Sequence, residues 1–233
     1  MTHTVVMPGK NIIKQYAPES YYHLYTRGVN KNITFDGDHD FTVFIGLLKR
    51  YLSPHAGKSN TRHAYPSFAG RLELLSYALM PNHIHLFVYQ QDEYAIRDFM
   101  RSLLTSYCMQ YNKVHDRVGP LFQSRYRACL ISDDAYLQHI SRYIHLNPRD
   151  WKTSDKTSLD FYLGKRHAGW INTKRVLEQF PTPKSYMDFL EDYEDVKKMY
   201  DEIKWDLATI EDRDPEAETP YELHLRQGRT LTQ

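Results

Sequence analysis

The spacing of hydrophobic positions changes several times along the chain, and each change predicts an element. Tyr21–Arg27 (YYHLYTR) is aromatic-rich with strand-like alternation, and a Gly28-Val29-Asn30 turn ends it. Asp38 is placed to cap a helix on which Phe41, Phe44, Ile45, Leu48, Tyr51 and Leu52 recur at helical spacing. A polar loop, Ser53–Gly70, separates it from two strands, Arg71–Leu79 and His83–Tyr89, joined by a Met80-Pro81-Asn82 turn. The clearest helix follows: Ile96, Phe99, Met100, Leu103, Leu104, Tyr107, Cys108 and Tyr111 form one apolar stripe. Gly119-Pro120 interrupts the chain, and Leu121–Ile131 alternates like a strand. Ser132-Asp133-Asp134 starts a third helix with acids in its first turn, and Pro148 stops it after Asn147.

The resulting order, β-α-β-β-α-β-α, predicts an α+β fold. Its first six elements match the split βαβ plan, a ferredoxin-like βαββαβ antiparallel sheet with helices on one face. Residues 1–150 would form this domain and 151–233 a C-terminal helical extension. Within the extension, 151–183 is loop-rich with a short helix near Thr173–Phe180, and Ser185–Leu207 reads as a long amphipathic helix. The last ~25 residues are polar and expected to be mobile.

Composition narrows the class. Hydrophobic residues make up 41% and aromatic residues 14% of the 233, with 19 tyrosines, enough to fill a core and exclude whole-chain disorder. No stretch approaches the ~20 apolar residues of a membrane span, and Met1–Lys10 lacks a signal-peptide apolar run. Cys108 and Cys129 alone cannot build a disulfide framework. These features predict a cytoplasmic protein. The net charge of +1 is unevenly spread: residues 1–150 hold 17 basic and 12 acidic residues (+5), and 151–233 hold 13 and 17 (−4). The acid is concentrated in 191–220, with 12 acidic residues against 4 basic (−8). A basic front suits a polyanion partner, and an ordinary fluctuation of charge accounts for it equally well.

Three groups of residues carry candidate chemistry. His83 and His85 lie two apart on a strand and so share one face, where two imidazoles can hold a divalent ion or simply bond to neighbours. On the third helix Tyr136, Ile140, Tyr143, Ile144 and Asn147 form a stripe. Tyr143 and Asn147 are neighbours at i, i+4, a nucleophile beside an oxygen ligand or a core tyrosine near a helix end. Gln123, Arg125 and Arg127 alternate onto one face of the expected strand, with Arg101, Lys113, Arg117 and Arg142 on flanking elements. Such a face suits phosphates and base edges, or plain solvation.

Together PNHIHLFV (Pro81–Val88), GPLFQSRYR (Gly119–Arg127) and YIHLNP (Tyr143–Pro148) resemble the single-tyrosine HUH transposases. The likeness is nearest to the REP-associated tyrosine transposases, whose pattern the opening YHLYTRGVNKNITF (Tyr22–Phe35) and, more loosely, YLGKRHAGW (Tyr162–Trp170) also fit. It covers about 20–170 and stops before the acidic stretch. The resemblance implies that His83 and His85 are metal ligands, that Asn147 completes the site and that Tyr143 is the nucleophile. Several relatives carry Glu or Gln where this chain has Asn147. It further implies Mg2+ or Mn2+, cleavage of single-stranded or hairpin DNA from repeat elements, a 5′-phosphotyrosine intermediate with a free 3′-OH, and a nucleoid-associated enzyme. Gln123, Arg125, Arg127, Arg142 and Arg27 are the expected DNA contacts. Monomers and homodimers both occur in the family, and the sequence does not choose between them. A replication initiator or relaxase would share the chemistry, but a single tyrosine and a short chain argue against it. A non-catalytic hairpin-binding protein on the same fold is the remaining alternative.

Overall fold

The computed structural model describes residues 16–54, 65–131 and 134–192. The chain divides into two units, residues 14–189 and a second made of 1–13 with 190–233; the elements below belong to the first, except for the last two residues of the final helix. In chain order they are β1 (Ser20–Arg27), α1 (Asp38–Leu52), β2 (Leu72–Met80), β3 (His83–Gln90), α2 (Ala95–Val114), β4 (Arg127–Ile131) and α3 (Asp134–His145). Three short helices follow, α4 (Leu159–Tyr162), α5 (Lys174–Leu177) and α6 (Pro183–Glu191). No described helix is long and apolar enough to cross a membrane. The part of the expected helix 185–207 beyond 192, and the polar tail, lie outside the described residues.

The sheet is antiparallel throughout, in the order β2-β3-β1-β4. This is the strand order of a ferredoxin-like βαββαβ fold, as the element order predicts. Period-2 alternation decides what each face carries. Tyr22 and Leu24 of β1 and Ile84, Leu86 and Val88 of β3 point into one core with Phe44, Leu47 and Leu48 of α1 and Ile96, Phe99 and Leu103 of α2. Each such side chain contributes about 1.5–3 kcal/mol by leaving water. The opposite face carries His23, His83, His85 and Phe87, and α3 packs over it against β2, β3 and β4. The two faces therefore do different work: one is the apolar core, the other is polar and aromatic.

Two local features set the register. In β2, Leu74 pairs with Val88 but Ser76 pairs with Phe87, so Leu75 is an extra residue in a bulge. Its carbonyl accepts the Tyr162 hydroxyl at 3.0 Å. The outer edge of β2 is closed by chain from 151–189: Leu79 N–H bonds Lys156 O, Ser158 N–H bonds Tyr77 O and Asn172 N–H bonds Leu74 O. Stretches expected to form an extension thus lie in the same compact unit as the sheet and shield one of its edges.

The structure differs from the sequence reading at several boundaries. Asp38 is the first residue of α1, not its cap. The turn before it is tied by Asp40, whose carboxylate accepts the Asp36 N–H at 2.8 Å. β4 is only Arg127–Ile131, because Leu121 and Phe122 are both buried; two successive inward side chains break the alternation a half-buried strand needs. Residues 121–126 instead run beside the end of β1, with Val29 N–H on Leu121 O and Gln123 N–H on Arg27 O. α3 ends at His145, leaving Asn147 in the turn that follows.

Gly28 is required by close approach. Its N–H bonds Asn82 O at 2.8 Å, joining the end of β1 to the β2–β3 turn. A Cβ there would lie 2.1 Å from Asn32 O and 2.8 Å from Thr34 Cγ2. Gly28→Ala is expected to cost about 1–3 kcal/mol through overpacking, read as a fall in Tm. An unchanged Tm would mean the backbone has slack that this packing denies.

Candidate active site

The polar face of the sheet gathers the chemistry. Strand pairing sets Arg27 opposite His83 and Tyr25 opposite His85, so the end of β1 and the start of β3 share one corner. α3 lays Tyr143 over it, and the turn after the helix brings in Asn147. The Tyr143 ring stands edge-on to His85, with centroids 5.3 Å apart, and to His23 at 5.8 Å. The rings of His83 and His85 are perpendicular, 5.0 Å apart. His83 Nε2 faces Asn147 Oδ1 at 3.3 Å. The residues the sequence singled out as HxH pair, tyrosine and asparagine therefore meet in one place.

Hydrogen bonding fixes which nitrogen of His83 is available. Asn82 donates its amide N–H to Lys31 O at 3.0 Å, which orients Asn82 Oδ1 toward His83 Nδ1 at 2.7 Å. A neutral imidazole has one N–H, and the short contact with an acceptor takes it. The lone pair of His83 Nε2 then faces the lone pairs of Asn147 Oδ1. A cation resting on both relieves that repulsion; without one, the Asn147 amide must turn end for end. The 3.3 Å separation is close to the roughly 3 Å between adjacent ligands of a divalent ion bound at ~2.1 Å. Among the described residues no group of three or more His, Cys, Asp or Glu side chains is arranged to hold a metal. An ion here would take two imidazoles, an amide oxygen, and water or substrate. Such a partly oxygen-based, open set suits Mg2+ or Mn2+ better than a closed structural zinc site.

Burial governs the protonation of the site. It lowers His83 to about 4, helped by the nearby positive charge of Arg27, and holds His85 well below the usual histidine range. Both imidazoles are thus neutral at pH 7 and ready to coordinate without releasing a proton. Burial also pushes the Tyr143 hydroxyl up to about 12, against the opposing pull of its hydrogen bond with Asn147 and of Arg27. Tyr143 is only 4% exposed and is a phenol at any physiological pH.

The expected DNA contacts fall into three groups. Arg27 lies at the site, close enough to influence both His83 and Tyr143. Gln123 and Arg125 are exposed in the irregular segment beside the end of β1, and Arg127 is half-buried at the start of β4, so the three do not share one strand face. Arg142 departs from the expectation altogether. It is 1% exposed, its guanidinium sits 3.8 Å from the centre of the Phe189 ring and donates to Phe189 O at 2.9 Å and to His139 Nδ1 at 3.0 Å. A buried cation held over an aromatic ring is a packing element joining α3 to α6, not a groove contact.

Two residues were missed by the sequence reading, Asn82 and His23. Asn82 adjoins the HxH pair and orients its first member. His23 is 2% exposed, and its Nε2 lies 2.9 Å from His85 Nδ1. Alternation along Tyr21–Arg27 puts His23 on the Arg27 face, but only the pairing of β1 with β3 brings that face to the HxH pair.

Residues 67–147, which span β2 to the end of the site, match a family described as transposase IS200 like. No curated protein matches the chain significantly. Two solved structures match part of the chain. One is a REP-associated tyrosine transposase bound to a REP hairpin, 13% identical, with 67% of this chain and 86% of that chain covered and a TM-score of 0.48. The other is a Deinococcus radiodurans R1 crystal structure carrying a provisional transposase description, 16% identical, covering 57% and 92%, with a TM-score of 0.35.

Proposed function

We propose that this chain, whose residues 67–147 match the IS200-like transposases, cuts and transfers single-stranded DNA through a covalent link to Tyr143. The observation that carries this reading is the convergence of Tyr143, His83, His85 and Asn147 from two elements far apart in sequence. DNA held as a hairpin, in the manner of REP-like elements, is the proposed substrate, and the proposed place of work is the cytoplasm at the nucleoid.

Each residue has a chemical task. Tyr143 Oη attacks the scissile phosphorus, the bond from phosphorus to the 3′ oxygen breaks, and the tyrosine proton passes through water to the departing 3′ oxygen as the new P–O bond forms. The products are a 5′-phosphotyrosine and a free 3′-OH, and the reverse attack by a 3′-OH rejoins strands without ATP. A divalent ion, Mg2+ or Mn2+, held by His83, His85 and Asn147 would supply Lewis-acid polarisation of the phosphate. Arg27 adds a fixed positive charge near the site that favours loss of the Tyr143 proton as its oxygen attacks. The phenol starts protonated, so positioning against the phosphate must supply what ionisation does not. Gln123, Arg125 and Arg127 continue the contact surface from Arg27 toward β4.

The test is incubation with labelled single-stranded hairpins and Mn2+ or Mg2+, followed by denaturing electrophoresis. The expected result is a denaturant-resistant protein–DNA band that disappears with chelator. Tight hairpin binding with no such band across a hairpin library would overturn the enzyme in favour of a binding module.

A further inference from the structure

His23 is a buried imidazole with no part in the chemistry above, yet it touches the residue most central to it. We propose that His23 is a positioning residue: it accepts the His85 Nδ1–H and thereby keeps the His85 Nε2 lone pair directed at the cation site. The inference rests on the reading that His83 and His85 hold the divalent ion.

The geometry supports it in two ways. First, His23 Nε2 and His85 Nδ1 are 2.9 Å apart, with the rings 5.1 Å between centroids and only 16° from parallel, a short and well-fixed contact in a buried place. One hydrogen lies between the two nitrogens. If His23 supplies it, His85 must carry its own hydrogen on Nε2 and cannot coordinate through that atom. If His85 supplies it, Nε2 is a lone pair. Second, the arrangement parallels the one on His83, whose Nδ1–H is taken by Asn82 Oδ1 at 2.7 Å. Each imidazole of the HxH pair thus has one Nδ1 partner from outside the pair. A histidine that binds a metal generally donates its other N–H to such a partner, and loss of that partner weakens binding by about 10- to 100-fold. Removing the acceptor leaves a buried N–H unsatisfied only in the cation-bound tautomer, so the cost falls on binding more than on folding.

The measurement is Mn2+ affinity of the full chain by electron paramagnetic resonance titration, for wild type, His23→Phe, His23→Gln and His85→Ala. His85→Ala is expected to abolish binding at the site. His23→Phe should weaken it by about 10- to 100-fold, and His23→Gln, whose amide oxygen can accept the same hydrogen, should recover most of the loss. Nitrogen-15 NMR of the metal-free proteins gives an independent readout. His85 should carry its hydrogen on Nδ1 in wild type and shift toward the Nε2 form in His23→Phe. Equal Mn2+ affinity of wild type and His23→Phe, with His85→Ala still inactive in binding, would overturn this proposal alone. Mn2+ binding indifferent to His85→Ala would overturn the metal reading, and this inference with it. If His23→Phe loses thermal stability, His23→Gln against wild type decides: binding lost despite a retained fold and a retained acceptor overturns the tautomer role.

Discussion

Tyr143→Phe is expected to abolish the covalent protein–DNA adduct, by a factor of about 10⁴ or more, while hairpin binding and Mn2+ affinity stay near wild type. The substitution removes one oxygen and leaves the ring where it stands, edge-on to His85 and His23. The fold should lose only about 1 kcal/mol, the worth of the hydrogen bond with Asn147. Denaturing gels and melting curves on the same preparation separate the two effects. An adduct that persists in Tyr143→Phe would transfer the nucleophile to another tyrosine. Loss of Mn2+ binding would instead make the phenol oxygen a ligand.

The second large effect is loss of stability in acid. His145 is fully buried between Tyr186 and Ser158, with both contacts at 2.7 Å. The hydrogens run one way: Tyr77 N–H to Ser158 Oγ, Ser158 O–H to His145 Nε2, His145 Nδ1–H to Tyr186 Oη, Tyr186 O–H to Ser141 Oγ, and Ser141 O–H to Gln138 O. That chain is complete only for a neutral imidazole, and burial lowers His145 to about 3. A depressed histidine means that the unfolded chain takes up its proton first as pH falls. Stability is therefore intact above about 6.5 and declines from there toward the folded value. By pH 4.5 the loss is about 2–3 kcal/mol for His145. His23 and His83, each lowered to about 4, act in the same direction. Urea unfolding at pH 7.5, 6 and 4.5 should show a steep decline, and equal midpoints at all three would refute the buried neutral histidines.

Much of this could be read without coordinates, for identifiable reasons. Strands and helices with a single apolar face announce themselves by period, which is why β1, β3 and α2 emerge almost to the residue. The HxH pair is legible because two positions on a strand share a face whatever lies around them, whereas Asn147 reaches Tyr143 and His83 from the turn after α3 and not through the helical spacing expected of it. What could not be read depends on contacts between distant segments. Arg142 looks like a surface cation until α6 supplies Phe189 beneath it. His23 is one of 12 histidines until strand pairing sets it against His85. The segment 121–126 carries alternation in its letters, but Leu121 and Phe122 both turn inward, and no local pattern states that.

The bulge at Leu75 bears on how the gene can change in length. Losing one codon between Tyr77 and Met80, away from the bulge, puts the side chains on one side of the cut on the wrong face of the sheet, where Tyr77 and Leu79 no longer both reach the apolar core. Losing Leu75 itself removes the surplus residue and leaves Leu74 opposite Val88 and Ser76 opposite Phe87. The damage is then confined to one buried leucine and the carbonyl that holds Tyr162. Deleting either Leu74 or Leu75, which yields the same chain, should accordingly be tolerated better than deleting a residue between Tyr77 and Met80, an asymmetry that a deletion scan of the strand would display.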